Sequence, residues 1–259
     1  MSEERFLDAL RVELLRHADL RPERREHLLF QTSTIEALLA GHFDGDVGIA
    51  ELLERGDLGL GTLNGCDGEL VVVDGRAWQA RLDGSLHAVP GAALTPYAVV
   101  TRFDPDRHLD LDGPLDFDAL TARLDAAGPQ GSEGAAVRLD GRFASMRVRS
   151  VPRQDKPYPP LADVVAQQHV TELAGVEGTV VGFRFPGPME GIEIAGWHLH
   201  FVDHARERGG HVLGCVLEHG AAALDHEADL HVELPPGVDA PHAGDAGTDA
   251  LLRRLERDD

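Results

Sequence analysis

Asp-Gly pairs set between short apolar runs constrain the fold of this chain more than any other feature. Asp74-Gly75 follows Glu69-Leu70-Val71-Val72-Val73, and Asp83-Gly84 comes soon after. Both residues of such a pair tolerate the positive φ that a two-residue hairpin turn demands, so this segment predicts a β-meander. Asp140-Gly141, between the apolar runs 135–139 and 143–151, predicts a further hairpin. Strand-like runs also cover residues 97–103, 179–185, 192–202, 211–217 and 230–234. Apolar residues fall at helical spacing in 33–39, 47–53 (closed by Gly56), 115–127 and 161–173. The first 29 residues read as one or two amphipathic helices, with Phe6, Leu10 and Leu14 on one face.

These elements predict an α+β fold of two halves, each with a mixed or antiparallel β-sheet and flanking helices. Lys156-Pro157-Tyr158-Pro159-Pro160 interrupts regular structure and sets the expected boundary. The expected units are a helical segment 1–29, an N-terminal α/β domain 30–155 with the meander, and a C-terminal β-rich metal-binding domain 156–236. A linker and tail, 237–259, ends in a short helical stretch at 249–256. There is no Gly-rich phosphate loop and no regular strand–helix alternation, which argues against a doubly wound nucleotide fold.

Charge narrows the function. The formal net charge is -21 at pH 7, against which nucleic-acid and anionic-membrane partners are not expected, because phosphate binding needs a basic face. Lys156 is the single lysine, so an anionic substrate would have to be met by arginines or a metal. Cys66 and Cys215 are isolated, which gives neither a disulfide framework nor a thiolate zinc site. The N-terminus lacks the unbroken apolar segment of a signal peptide or a membrane span, and the cytoplasm is the expected location.

Gly196-Trp197-His198-Leu199-His200-Phe201-Val202-Asp203 carries the most chemistry. Side chains alternate along a strand, so His198 and His200 share one face and Leu199 and Phe201 the other. His211 opens the next apolar strand after Gly209-Gly210, and a hairpin would return it beside His200. Three neutral imidazoles on one face suit a borderline divalent metal and leave a coordination position for water or substrate. On spacing alone, metal binding and locally hydrogen-bonded imidazoles both stay open, in a chain with 14 histidines.

The block from Gly196 to Asp203, with Gly209-Gly210-His211-Val212, resembles the metal-binding block of the α-acetolactate decarboxylases. Further blocks resemble the family in the same order: Phe30-Gln31-Thr32-Ser33-Thr34, Gly56-Asp57-Leu58-Gly59-Leu60-Gly61-Thr62-Leu63-Asn64, Arg149-Ser150-Val151 and Gly178-Thr179-Val180-Val181-Gly182-Phe183. The resemblance spans about residues 29–235. It implies a zinc ion on His198, His200 and His211, on a β-hairpin of the C-terminal half, with Glu69 and Arg149 as catalytic groups beside it. It implies Thr62 as a substrate-pocket residue, a further metal ligand from the tail at Glu256 (Asp259 is the rival), and a homodimer. Arg147 and Arg153 are alternative cations. Without the resemblance, Glu69 would read as an exposed acid opening a strand, and Arg149 as a solvated or paired strand residue.

The implied reaction converts acetolactate to acetoin. A ketone β to the carboxylate accepts the electron pair left by carbon dioxide, so the substrate supplies its own electron sink. A metal is a Lewis acid where that charge develops, Arg149 holds the carboxylate or the enediolate, and Glu69 protonates carbon. The competing readings are a cupin-like metal oxygenase or isomerase and a non-catalytic metal or small-molecule binding module. The cupin pattern places an acid a few residues after the second histidine; here Glu207 lies seven residues after His200, in the expected turn, which argues against that reading.

Overall fold

The computed structural model describes residues 3–7, 10–16, 27–128, 133–187, 189 and 191–241. The chain runs through β1 (Glu3–Leu7), β2 (Leu10–Arg16), β3 (Leu28–Thr32), α1 (Ile35–Leu39), β4 (Val47–Gly48), α2 (Ile49–Arg55), β5 (Leu58–Thr62) and β6 (Glu69–Val73). Then come β7 (Arg76–Ala80), β8 (Leu86–Ala88), β9 (Leu94–Thr95), β10 (Tyr97–Thr101), β11 (Arg107–Asp116) and α3 (Phe117–Ala127). β12 (Gly134–Ser150), α4 (Leu161–Val165), β13 (His169–Phe185), β14 (Gly196–Asp203), β15 (Gly209–Glu227) and β16 (Asp229–Leu234) complete it.

A nine-stranded sheet has the order β1-β2-β16-β3-β10-β5-β6-β7-β8. A five-stranded sheet has the order β11-β15-β12-β13-β14, with β14 also paired to β15; β4 and β9 form a small ribbon. The meander expected around residues 69–88 is present, and its first turn carries Asp74 and Gly75 at φ 54 and 66.

Strand alternation decides which core each residue joins. In β6, Val71 and Val73 pack with Val181, Phe183 and Phe185 of the second sheet, while Leu70 and Val72 pack with Ile49 and Leu52 of α2. In β14, Val202 joins the core between the sheets, while Leu199 and Phe201 join Leu120 and Leu124 of α3 on the outer side. The Ser150 hydroxyl donates to Ala80 O at 2.7 Å and stitches the two sheets together. Among the described residues no helix is long and apolar enough to cross a membrane.

Several expectations are corrected. The described parts of residues 1–29 are strands, not helices: β1 pairs antiparallel with β2, and β2 pairs parallel with β16. Leu10 and Leu14 satisfy a helical face and a strand face equally; buried Val12 between them sets a period of two, with Arg11 and Glu13 half-buried opposite. Asp140-Gly141 is no turn but the middle of the unbroken β12. A Cβ at Gly141 would lie 2.8 Å from Leu217 Cδ1 and 2.9 Å from His219 O, so this glycine serves close strand approach. The helix expected over 161–173 stops with α4, and β13 begins at His169. The boundary expected at 156–160 does not separate the sheets: β11 and β12 precede it yet belong to the second sheet, and β16 follows it yet belongs to the first.

Glu227, at the end of β15, is fully buried. Burial, and then the charge of Asp225, push its carboxyl well above the ordinary range, opposed by the nearby Thr101 hydroxyl. The one proton of that hydroxyl goes to Leu28 O at 3.1 Å, and neither Glu227 oxygen has a hydrogen-bond partner among the described residues. A carboxyl with a raised folded-state pKa contributes most below its unfolded value and loses that contribution as pH rises toward the folded value. Glu227→Gln is therefore expected to raise Tm by about 2–4 °C at pH 8 and to leave it unchanged at pH 4. Thermal melts at the two pH values check this; an equal shift at both would rule out ionisation as the cause.

Candidate active site

Register brings the functional side chains together. His200 of β14 pairs with His211 of β15, and His211 pairs with Arg149 of β12. His198 lies two residues before His200 and therefore on the same face, the one turned toward the first sheet. The Gly209-Gly210 pair permits this convergence. A Cβ at Gly210, whose φ is 151°, would lie 2.5 Å from Arg149 O, and one at Gly209 would lie 2.5 Å from Phe201 O.

The three imidazoles are buried, with ring centroids 5.1 Å (His198–His200), 5.0 Å (His198–His211) and 5.3 Å (His200–His211) apart. One ring nitrogen from each lies within 4.8 Å of the others. His200 Nδ1 is 2.8 Å from Leu70 O and must donate to it, which leaves the lone pair on Nε2. His200 Nε2 and His198 Nδ1 are buried without a hydrogen-bond partner among the described residues. Burial, reinforced by the charge of Arg149, lowers His198 to about 3. Burial first, then His198 and Arg149, hold His200 well below its ordinary value despite the bond to Leu70 O. Both rings are thus neutral at physiological pH, the ligating form. Two buried nitrogens without a hydrogen-bond partner among the described residues, converging with a third imidazole, could hold a metal ion.

The first sheet supplies the opposite wall. Glu69 opens β6 on the same face as Val71 and Val73, and its Oε2 is 3.7 Å from His200 Nε2. Thr62, opposite Glu69 in register, donates to Gly68 O at 2.7 Å. Arg149 Nη1 donates to Gln168 Oε1 at 3.4 Å. These groups line one cavity of about 50 Å³, closed on its apolar side by Ile35 and Leu38 of α1 and Leu161 and Val165 of α4. That space suits a compact ligand, not a nucleotide.

The cavity therefore brings together Thr62, Glu69, Arg149, His198, His200 and His211. The alternative cations lie elsewhere: Arg153 is exposed and paired to Asp67 at 3.4 Å, and Arg147 does not line the cavity. Glu207 is an exposed residue whose backbone N donates to Asp203 Oδ1. Glu256 and Asp259 lie outside the described residues. Besides the apolar lining and Gly61, sequence reasoning missed Cys66 and Tyr97. Burial pushes the Cys66 thiol up to about 12, which keeps it protonated and unreactive. Tyr97 stands opposite Thr62, a register visible only once the strands are paired.

A second cluster, His27, Asp225 and His226, has ligand-type atoms equally close. One nitrogen of each imidazole there faces a carboxylate: His27 Nδ1 is 2.6 Å from Asp225 Oδ1, and His226 Nδ1 is 2.6 Å from Asp106 Oδ2. Buried ring nitrogens without a hydrogen-bond partner among the described residues, at His198 and His200, set the first cluster apart.

Known proteins resemble the chain over most of its length. The sequence profile of the α-acetolactate decarboxylases matches residues 29–240. A protein of that name from Methylococcus capsulatus is 43% identical over 210 residues, 81% of each chain. One from Klebsiella aerogenes is 39% identical over 233 residues, 89% of this chain and 90% of its own. The crystal structure of α-acetolactate decarboxylase from Bacillus subtilis strain 168 superposes with a TM-score of 0.84 at 32% identity, over 89% of this chain and 99% of that one. A profile match across most of the chain, joined to close relatives and the same architecture, shows that this chain belongs to the α-acetolactate decarboxylase family, carboxy-lyases that turn acetolactate into acetoin.

Proposed function

We propose that the chain performs this decarboxylation with a zinc ion held by His198, His200 and His211, joined by Glu256 from the tail. The observation that carries this reading is the pair of buried, unpartnered nitrogens on His198 and His200, beside Glu69 and Arg149 in one cavity. Zinc bound there supplies a Lewis acid for the negative charge that develops on the substrate's ketone oxygen.

The protein's own groups do the rest. The backbone carbonyl of Leu70 fixes the tautomer of His200. Arg149, a planar and permanently charged donor, holds the substrate carboxylate against the strongly negative field of the chain. The bond between the carboxylate carbon and its neighbour breaks, carbon dioxide leaves, and the electron pair passes toward the ketone oxygen to give an enediolate. Glu69 then gives a proton to the carbon that lost the carboxylate, yielding acetoin, and regains its own proton from solvent. Thr62 lines the substrate pocket, and the apolar side chains of α1 and α4 keep water from the reacting carbon. A homodimer and a cytoplasmic location belong to the same reading.

The test is acetoin formation from racemic acetolactate by purified protein, before and after chelation and zinc restoration. Activity lost on chelation and regained with zinc is the expected result. A folded, zinc-loaded protein that forms no acetoin would overturn the reading.

A further inference from the structure

Tyr97 is held more firmly than a space-filling residue requires. It opens β10, paired in register with Thr62 on β5. The Thr95 hydroxyl lies 2.7 Å from Thr62 O and 3.0 Å from Tyr97 O, and Tyr97 N donates to its oxygen at 3.3 Å. Tyr97 is 2% exposed, yet its hydroxyl has no hydrogen-bond partner among the described residues. Buried phenols almost always find one, because an unmet hydroxyl loses its hydration without return. Phenylalanine would fill the same space without that cost. Tyr97 lines the cavity that also holds Glu69, Arg149 and the three histidines.

The cavity leaves a role open for it. The Thr62 proton is already given to Gly68 O, and Ile35, Leu38, Val151, Leu161 and Val165 offer no polar atom from their side chains. Acetolactate brings four oxygens into this space. Arg149 and the histidine side of the cavity lie on the second sheet, so a neutral donor on the first sheet reaches the ligand from the other wall.

We infer that the Tyr97 phenol donates a hydrogen bond to an oxygen of the bound substrate and is a further catalytic-site residue of this enzyme. The inference rests on the decarboxylase reading of the cavity. A site built to hydrogen-bond its ligand discriminates strongly when that donor is removed.

Tyr97→Phe tests this, because it deletes one atom that no described residue bonds. In the zinc-loaded protein the expected result is a fall in kcat/KM for acetolactate of about 10–100-fold, with Tm and zinc content unchanged. Binding is measured in parallel with the alcohol analogue of the substrate, in which the ketone is reduced and decarboxylation cannot occur. Its Kd is expected to rise about tenfold. Wild-type turnover with Kd and kcat/KM both unchanged in Tyr97→Phe overturns the inference and leaves the decarboxylase reading standing. A fall in Tm by itself, without loss of binding, assigns the hydroxyl to structure and also overturns it. If the wild type makes no acetoin, the decarboxylase reading fails, and the analogue's Kd still decides whether Tyr97 contacts a ligand.

Discussion

His200→Ala is expected to abolish zinc retention and to lower acetoin formation by at least about 10³-fold, a loss of about 4 kcal/mol of transition-state stabilisation. His200 sits at the centre of the constellation. It pairs in register with His211, follows His198 on the same strand face, and approaches Glu69 from the facing sheet. Its Nδ1 bond to Leu70 O aims Nε2 into the cavity, so alanine removes a ligand together with the contact that orients it. Metal content per chain and steady-state acetoin formation are measured on the same preparation. His27→Ala serves as the control, because the His27–Asp225–His226 cluster does not line the cavity and one nitrogen of each of its imidazoles faces a carboxylate. It should keep both metal and activity. A His200→Ala protein that retains one zinc and near wild-type turnover would refute the three-histidine centre; a His27→Ala protein that loses zinc would move the centre to the second cluster.

The part of the site legible in the sequence was the part that strand periodicity controls. Alternation puts His198 and His200 on one face whatever the strand pairs with, and the glycines at 209 and 210 mark where the next strand turns back. The roles of Glu69 and Arg149 came from the resemblance alone. Glu69 faces the histidines because β6 lies across from β14 and β15, and no local pattern encodes the packing of one sheet on another. Tyr97 was hidden for the same reason: it reads as one more residue of an apolar strand until β10 is placed beside β5. The fold was misread where a local signal had two solutions. Leu10 and Leu14 satisfy a helix and a strand alike, and the parallel partner that settles the choice, β16, is more than two hundred residues away. Asp140-Gly141 has turn chemistry, but pairing to β13 on one side and β15 on the other holds it extended. Non-local pairing outweighed local propensity in both places.

Glu69→Gln is the second large expected effect, a drop in kcat of about 10²–10⁴-fold with zinc content unchanged. The amide keeps the volume and shape of the carboxyl at a position that is 8% exposed, so packing against β5 and β7 should survive. It cannot deliver the proton that the reacting carbon needs once the carboxylate has left. Zinc binding by the three imidazoles does not require that proton, which is why metal and rate should separate here and fall together in His200→Ala. The informative readout is a single turnover followed for both products. In the wild type, carbon dioxide and acetoin should form in step; in Glu69→Gln, carbon dioxide release should run ahead, with acetoin trailing as water protonates the enediolate slowly. Equal and undiminished rates for the two products would remove Glu69 from the proton-transfer step. Loss of zinc with the rate would instead make Glu69 a member of the metal's own ligand set, a role that its 3.7 Å approach to His200 Nε2 places within reach of a modest side-chain movement.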